Sequence, residues 1–191
     1  MPSPLIPRDR VHTWSESIGK EPVEHQAALQ RLLKSQRRIS RFVEENAENL
    51  TMATGGVAMY MIGVILRLFD LAGGQLRSAT WAQVRAAEAR VQAAVPELLP
   101  LDDGLPARAR AIGWRAQPHI LDEALMALFE RKPKEGEEEL DQIEAFKVYM
   151  LMWVATEALA ENWKAPTAFE GPSDYAYHHI DPTEDDDADE G

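Results

Sequence analysis

Apolar positions recur at three- and four-residue intervals along most of this chain, the spacing that lines up one face of a helix. Between Glu24 and Leu50 the series Ala28, Leu29, Leu32, Leu33, Ile39, Phe42, Val43, Ala47 and Leu50 predicts one long helix, opened by Glu21-Pro22. Residues Thr51 to Leu66 then run without a charge until Arg67, and a second helix is expected from about Thr54 to Ala72, closed by Gly73-Gly74. Thr80 caps an alanine-rich helix that Pro96 ends, and residues 97 to 106 read as a loop held to the core by Leu98, Leu99 and Leu101. A short helix over 107–114 and another over 119–131 follow, with a turn from Lys132 to Gly136. The last helix is expected over 137–163, its start favoured by Glu137-Glu138-Glu139 and its centre apolar on every side. No window alternates as a hairpin would, and no repeat recurs at a fixed period.

The fold class this predicts is all-α: a single-domain bundle of about five or six helices, with two long helices (24–50 and 137–163) around a buried apolar one. Residues 1–20 are expected to form an N-terminal arm, 21–164 the helical domain, and 165–191 an acidic, largely irregular tail. The uncharged run is slightly short of the ~20 residues a bilayer crossing needs, and Arg67 and Asp70 fall in the same helix. It therefore reads as a core helix of a soluble protein, in which Gly56 and Gly63, seven residues apart, let the last helix approach closely.

Charge changes the picture at the C-terminal end. The chain has 191 residues and a formal net charge of -12, yet residues 1–164 hold 20 basic against 23 acidic groups. Nine acids and no Lys or Arg lie beyond them. Tyr175, Tyr177 and Ile180 sit among those acids as a candidate tail docking motif, with aromatic anchors and steering charge. On the first long helix Arg31, Lys34, Arg37, Arg38 and Arg41 form a candidate patch for an anionic partner, either another protein or the chain's own tail from Glu184 to Glu190.

Catalytic chemistry leaves no local signature. With no cysteine there is no thiolate nucleophile or ligand, and a reducing, cytoplasmic setting is expected. The serines lack a nucleophile-elbow context, the glycine pairs lack a phosphate-loop lysine, and Glu21 with His25 finds no second pair to complete a metal site. No cofactor or metal is assigned. Met59, Tyr60, Met150 and Trp153 are the candidate lining of an apolar pocket, should one exist. The expected function is a non-enzymatic protein–protein interaction or regulatory role through helical surfaces and the acidic tail, with another protein as partner, self-association as a variant, and no membrane. A small-molecule-binding or enzymatic bundle is the alternative, and nucleic-acid engagement through the basic helix the third reading.

Overall fold

The computed structural model describes residues 4–169. Those residues form an all-α bundle of nine α-helices: α1 Arg8–Lys20, α2 Pro22–Ser35, α3 Arg37–Ala47, α4 Met52–Leu71, α5 Trp81–Ala93, α6 Val95–Leu98, α7 Leu105–Ala111, α8 Pro118–Leu125 and α9 Gln142–Asn162. A π-helical turn, Met126–Glu130, extends α8. Two short strands, β1 Gln75–Leu76 and β2 Trp163–Lys164, pair antiparallel.

Helices α4 and α9 are the axis of the bundle and run parallel, side by side. At their N-terminal ends the Glu144 carboxylate accepts from the Thr51 amide at 2.9 Å and from the Thr51 and Thr54 hydroxyls at 2.8 and 2.6 Å. At their C-terminal ends the Trp163 indole donates to the Gly73 carbonyl at 2.8 Å, and the ribbon of β1 and β2 closes the pair. Residues 148–160 of α9 are buried without interruption, because α4, α5 and α8 all pack on that helix. Helices α2 and α3 cover the other side of α4, and α1 bridges α4 and α8. The uncharged stretch is the core of α4, with Ala58, Ile62, Ile65 and Leu66 inside and Leu68 and Phe69 buried just beyond it; by length and composition α4 is also the one described helix apolar enough to cross a bilayer.

Local signals explain the boundaries. Thr51 caps α4, and Thr80 with Gln83 forms a reciprocal capping box on α5. Gly73 and Gly74 take φ of +77° and +80°, a region where a side chain is strained, and a Cβ on Gly74 would also collide with the Lys164 carbonyl.

Several expectations are corrected. Residues 4–20 pack on the bundle, with Ile6 buried ahead of α1 and Val11 and Ile18 buried within it, where residues 1–20 were expected to form an arm; the Gln117 side chain anchors this stretch by accepting from the Ile6 amide and donating to the Pro4 carbonyl. The long helix over 24–50 is two helices that break at Gln36, whose backbone leaves helical geometry at φ -103°, ψ 44°. The Ser40 hydroxyl donates to the Leu33 carbonyl across this break, and Gln36 turns its amide into the protein. The last helix starts at Gln142, because the Asp141 carboxylate caps the Ile143 and Glu144 amides; Glu137–Glu139 lie in the preceding exposed turn. Gly63 faces Leu29 of α2 where α9 was expected, whereas Gly56 is exposed and Gly55 meets the Ala47 carbonyl instead.

A cationic face at the α2–α3 break

The break at Gln36 organises the surface around it. Gln36 is 2% exposed; its amide nitrogen donates to the Arg77 carbonyl at 3.0 Å and its oxygen accepts from the Ala79 amide at 3.2 Å. The Ser78 hydroxyl donates to the Ser35 carbonyl at 2.7 Å, so the chain leaving β1 is sewn onto the α2–α3 junction. In β1, Leu76 is the half-buried residue packed on the core, and Gln75 and Arg77 flank it, so they point outward. Lys164 lies directly across from Gln75 and shares that outward face, while Trp163 opposite Leu76 is buried. Lys34 and Arg37 bracket Ser35 and Gln36 from the helical side.

Lys34, Arg37, Arg77 and Lys164 are all exposed, and none forms an ion pair with another described residue. The other members of the sequence patch are partly committed. Arg31 bonds both Asp70 oxygens at 3.1 Å, Arg41 reaches Glu45 at 3.3 Å, and Arg38 donates to the Ala79 carbonyl at 3.5 Å. Exposed pairs of this kind contribute only about 0–1 kcal/mol, so Arg31 and Arg41 can exchange partners at little cost. Sequence spacing found Lys34 and Arg37 but missed Arg77 and Lys164, which reach the face through a ribbon with no local signal.

The histidines are engaged within the fold. His25 is buried; Arg67 Nε donates to its Nδ1 at 3.1 Å, which leaves the ring proton on Nε2, 3.2 Å from the Ser17 hydroxyl. His25 therefore donates to Ser17, the opposite of what a base activating a serine nucleophile must do. Arg67 also pairs with Asp70. His119 is bound to the Ile6 carbonyl and His12 to Glu123, and among the described residues no group of three His, Asp or Glu is gathered as metal ligands.

Two buried acid–base centres serve α9. Glu157 accepts from the Ala116 amide at 2.8 Å and the Trp153 indole at 3.1 Å; burial pushes its carboxyl up, and these donors pull it back. Tyr149 is fully buried with no hydrogen-bond partner for its hydroxyl, and burial pushes the phenol up to about 12 against the pull of nearby Arg115. Arg115 itself is held by Asp122 and by the Arg110 and Ile112 carbonyls.

Met150 and Trp153 are core residues of α9, Met59 is partly buried, and Tyr60 is 54% exposed. A groove of about 310 Å³ lies elsewhere, between the π-helical turn and the Glu137–Leu140 turn, and none of the four lines it. Tyr175, Tyr177 and Ile180 lie outside the described residues. Comparison with protein-family models, with curated proteins and with solved structures finds no match.

Proposed function

We propose that this chain is a non-enzymatic interaction protein that receives an acidic segment of a partner protein on the face made by Lys34, Arg37, Arg77 and Lys164. The observation that carries the reading is the placement of these exposed cations, without ion pairs among the described residues, around one ribbon and one helix break. A short acidic segment fits such a face better than a nucleic acid does. Residues 1–164 are close to neutral, with 20 basic and 23 acidic groups, so they lack the extended positive field a long polyanion needs, whereas a short acidic segment requires only the local face, charges beyond about 8–10 Å being screened at ordinary salt.

The test is a titration of a short labelled oligoglutamate peptide and, in parallel, of single-stranded DNA. Saturable peptide binding that weakens with salt and disappears in a Lys34→Glu, Arg37→Glu, Arg77→Glu, Lys164→Glu variant of unchanged helical content supports the reading. Peptide binding indifferent to those changes sinks it, and tighter binding of DNA than of peptide moves the function to nucleic acid.

A further inference from the structure

We infer that the groove between the π-helical turn and the Glu137–Leu140 turn is a second docking site, which takes a basic segment of a partner protein by one apolar side chain flanked by Lys or Arg. The inference does not depend on the cationic face. Ala145, near the start of α9, lines the groove, and Lys164 lies past the other end of that helix, about 25 Å away along its axis.

Both walls of the groove are held in place. In the π-helical turn the Arg131 amide donates to the Met126 carbonyl at 2.8 Å, the Phe129 ring meets Tyr149 edge-on at 6.4 Å, and Glu130 accepts from both terminal nitrogens of Arg110 at 2.8 and 2.6 Å. Turns of this kind are rare and are found frequently at functional sites. In the facing turn the Glu137 amide donates to the Lys134 carbonyl at 3.0 Å across Gly136, whose φ is +84°. The Glu137 carboxylate accepts from the Lys134 amide at 3.0 Å and from Arg131 at 2.9 Å, so Arg131 ties one wall to the other.

The lining sets the occupant. Its apolar part includes Leu128 and Phe129, which pack on the core, half-buried Leu140 and buried Ala145. Its acids come from two elements: Asp103 from the loop before α7, and Glu138 and Glu139 from the turn before α9. These three are exposed and form no ion pair among the described residues, whereas Arg131, the one cation in the lining, is committed to Glu137. Lys132 and Lys134 are exposed but do not line the groove. Three carboxylates around an apolar patch complement a cation-bearing chain with an apolar anchor. They are not gathered as metal ligands, so a series of cations along a chain suits them better than a single ion. The volume of about 310 Å³ is at the small end of the roughly 300–1,000 Å³ of ligand sites, a size for a side chain of a longer segment.

The probe is a short labelled peptide with one leucine between pairs of lysines, titrated into the full-length chain and followed by anisotropy and by ¹⁵N amide shifts. A net charge of -12 attracts any polycation, so the leucine and the groove decide the result. Shifts should centre on Ala127, Leu128, Glu139 and Ala145. Binding should weaken about ten-fold when the leucine is replaced by glycine. It should weaken as much when Asp103→Asn, Glu138→Gln and Glu139→Gln are combined, or when Ala127→Arg places a cation at this exposed lining position. No measurable binding, equal affinity for the leucine and glycine peptides, shifts centred elsewhere, or binding indifferent to either variant at unchanged helical content overturns the inference. Self-association of the peptide-free chain that Ala127→Arg abolishes would make a second copy the occupant and overturn the assignment to another protein. The two sites fail separately. Both groove variants should still bind oligoglutamate, and the four-residue charge reversal of the cationic face should still bind the leucine peptide; absence of oligoglutamate binding in wild type sinks the function proposed above and leaves the groove standing.

Discussion

Glu144 at the start of α9 receives the Thr54 hydroxyl of α4 at 2.6 Å, and through this contact the N-terminal ends of the two axial helices are held together. The Thr54 hydroxyl, the Thr51 hydroxyl and the Thr51 amide hold the Glu144 carboxyl below the usual glutamate range, in that order of effect. A depressed carboxyl contributes stability that is complete above its unfolded pKa of 4.5 and is lost as pH falls through the lower folded value. Urea unfolding of wild type and Glu144→Gln should therefore differ most above pH 4.5 and converge in acid. A gap that widened on acidification would refute the assignment. Thr51→Ala, which also removes the cap, should cost about 1 kcal/mol at neutral pH.

Gln36→Ala should strand the Ala79 amide and the Arg77 carbonyl, both now satisfied by its side chain. An unsatisfied buried donor costs about 1–3 kcal/mol, and chemical denaturation should report a loss in that range. The substitution also frees the ribbon from the α2–α3 junction, so oligoglutamate affinity should fall even though no charge has changed. Undiminished affinity would mean that the cations do not need the ribbon's position.

Glu157 gives the opposite pH sign from Glu144. Its carboxyl is raised by burial, so its contribution is fully present below pH 4.5 and is lost as pH rises through the folded value. Glu157→Gln keeps an acceptor for Ala116 and Trp153 and should flatten that part of the stability profile. Glu157→Ala leaves both donors unpaired and should destabilise by about 2–4 kcal/mol. Thermal melts across pH 4 to 8 distinguish the two variants, and identical profiles would show the carboxylate to be idle.

The glycines of α4 divide by what a Cβ would meet. At Gly56 nothing lies within 4 Å, so Gly56→Ala should gain about 0.5–1 kcal/mol from helix propensity. At Gly55 the neighbour is the Ala47 carbonyl oxygen at 3.2 Å, backbone that cannot swing aside, and the same change should lose that gain or reverse it. Gly63 meets only the mobile end of Leu29 at 3.3 Å, so alanine should be accommodated while leucine overpacks by about 1–3 kcal/mol. Equal melting temperatures for the alanine variants at 55 and 56 would refute this division.

What could be read in the sequence was set by neighbours close along the chain. The cap at Thr80, the stop at Gly73-Gly74 and the apolar stripe of α4 each depend on residues within a turn or two, and each is found where its pattern places it. The break at Gln36 could not be read, because its partners Arg77 and Ala79 are more than forty residues away and its own local context is helical. Likewise Glu137–Glu139 look like a helix start until Asp141 takes the cap. Half of the cationic face was visible as helical spacing, in Lys34 and Arg37; Arg77 and Lys164 joined it only through the pairing of Gln75 with Lys164, 89 residues apart.

The parallel course of α4 and α9 bears on how this molecule must be made. Two helices that run the same way need a long crossover between them, and here it consists of α5 to α8. Thr51 waits for Glu144, Gly73 waits for Trp163, and Ile6 waits for Gln117. A nascent chain emerging from the ribosome can form individual helices early, but its axis has no second half until translation has passed Trp163. Folding should thus complete late and cooperatively, more in the manner of a protein dominated by contacts distant in sequence than of a simple up-and-down bundle.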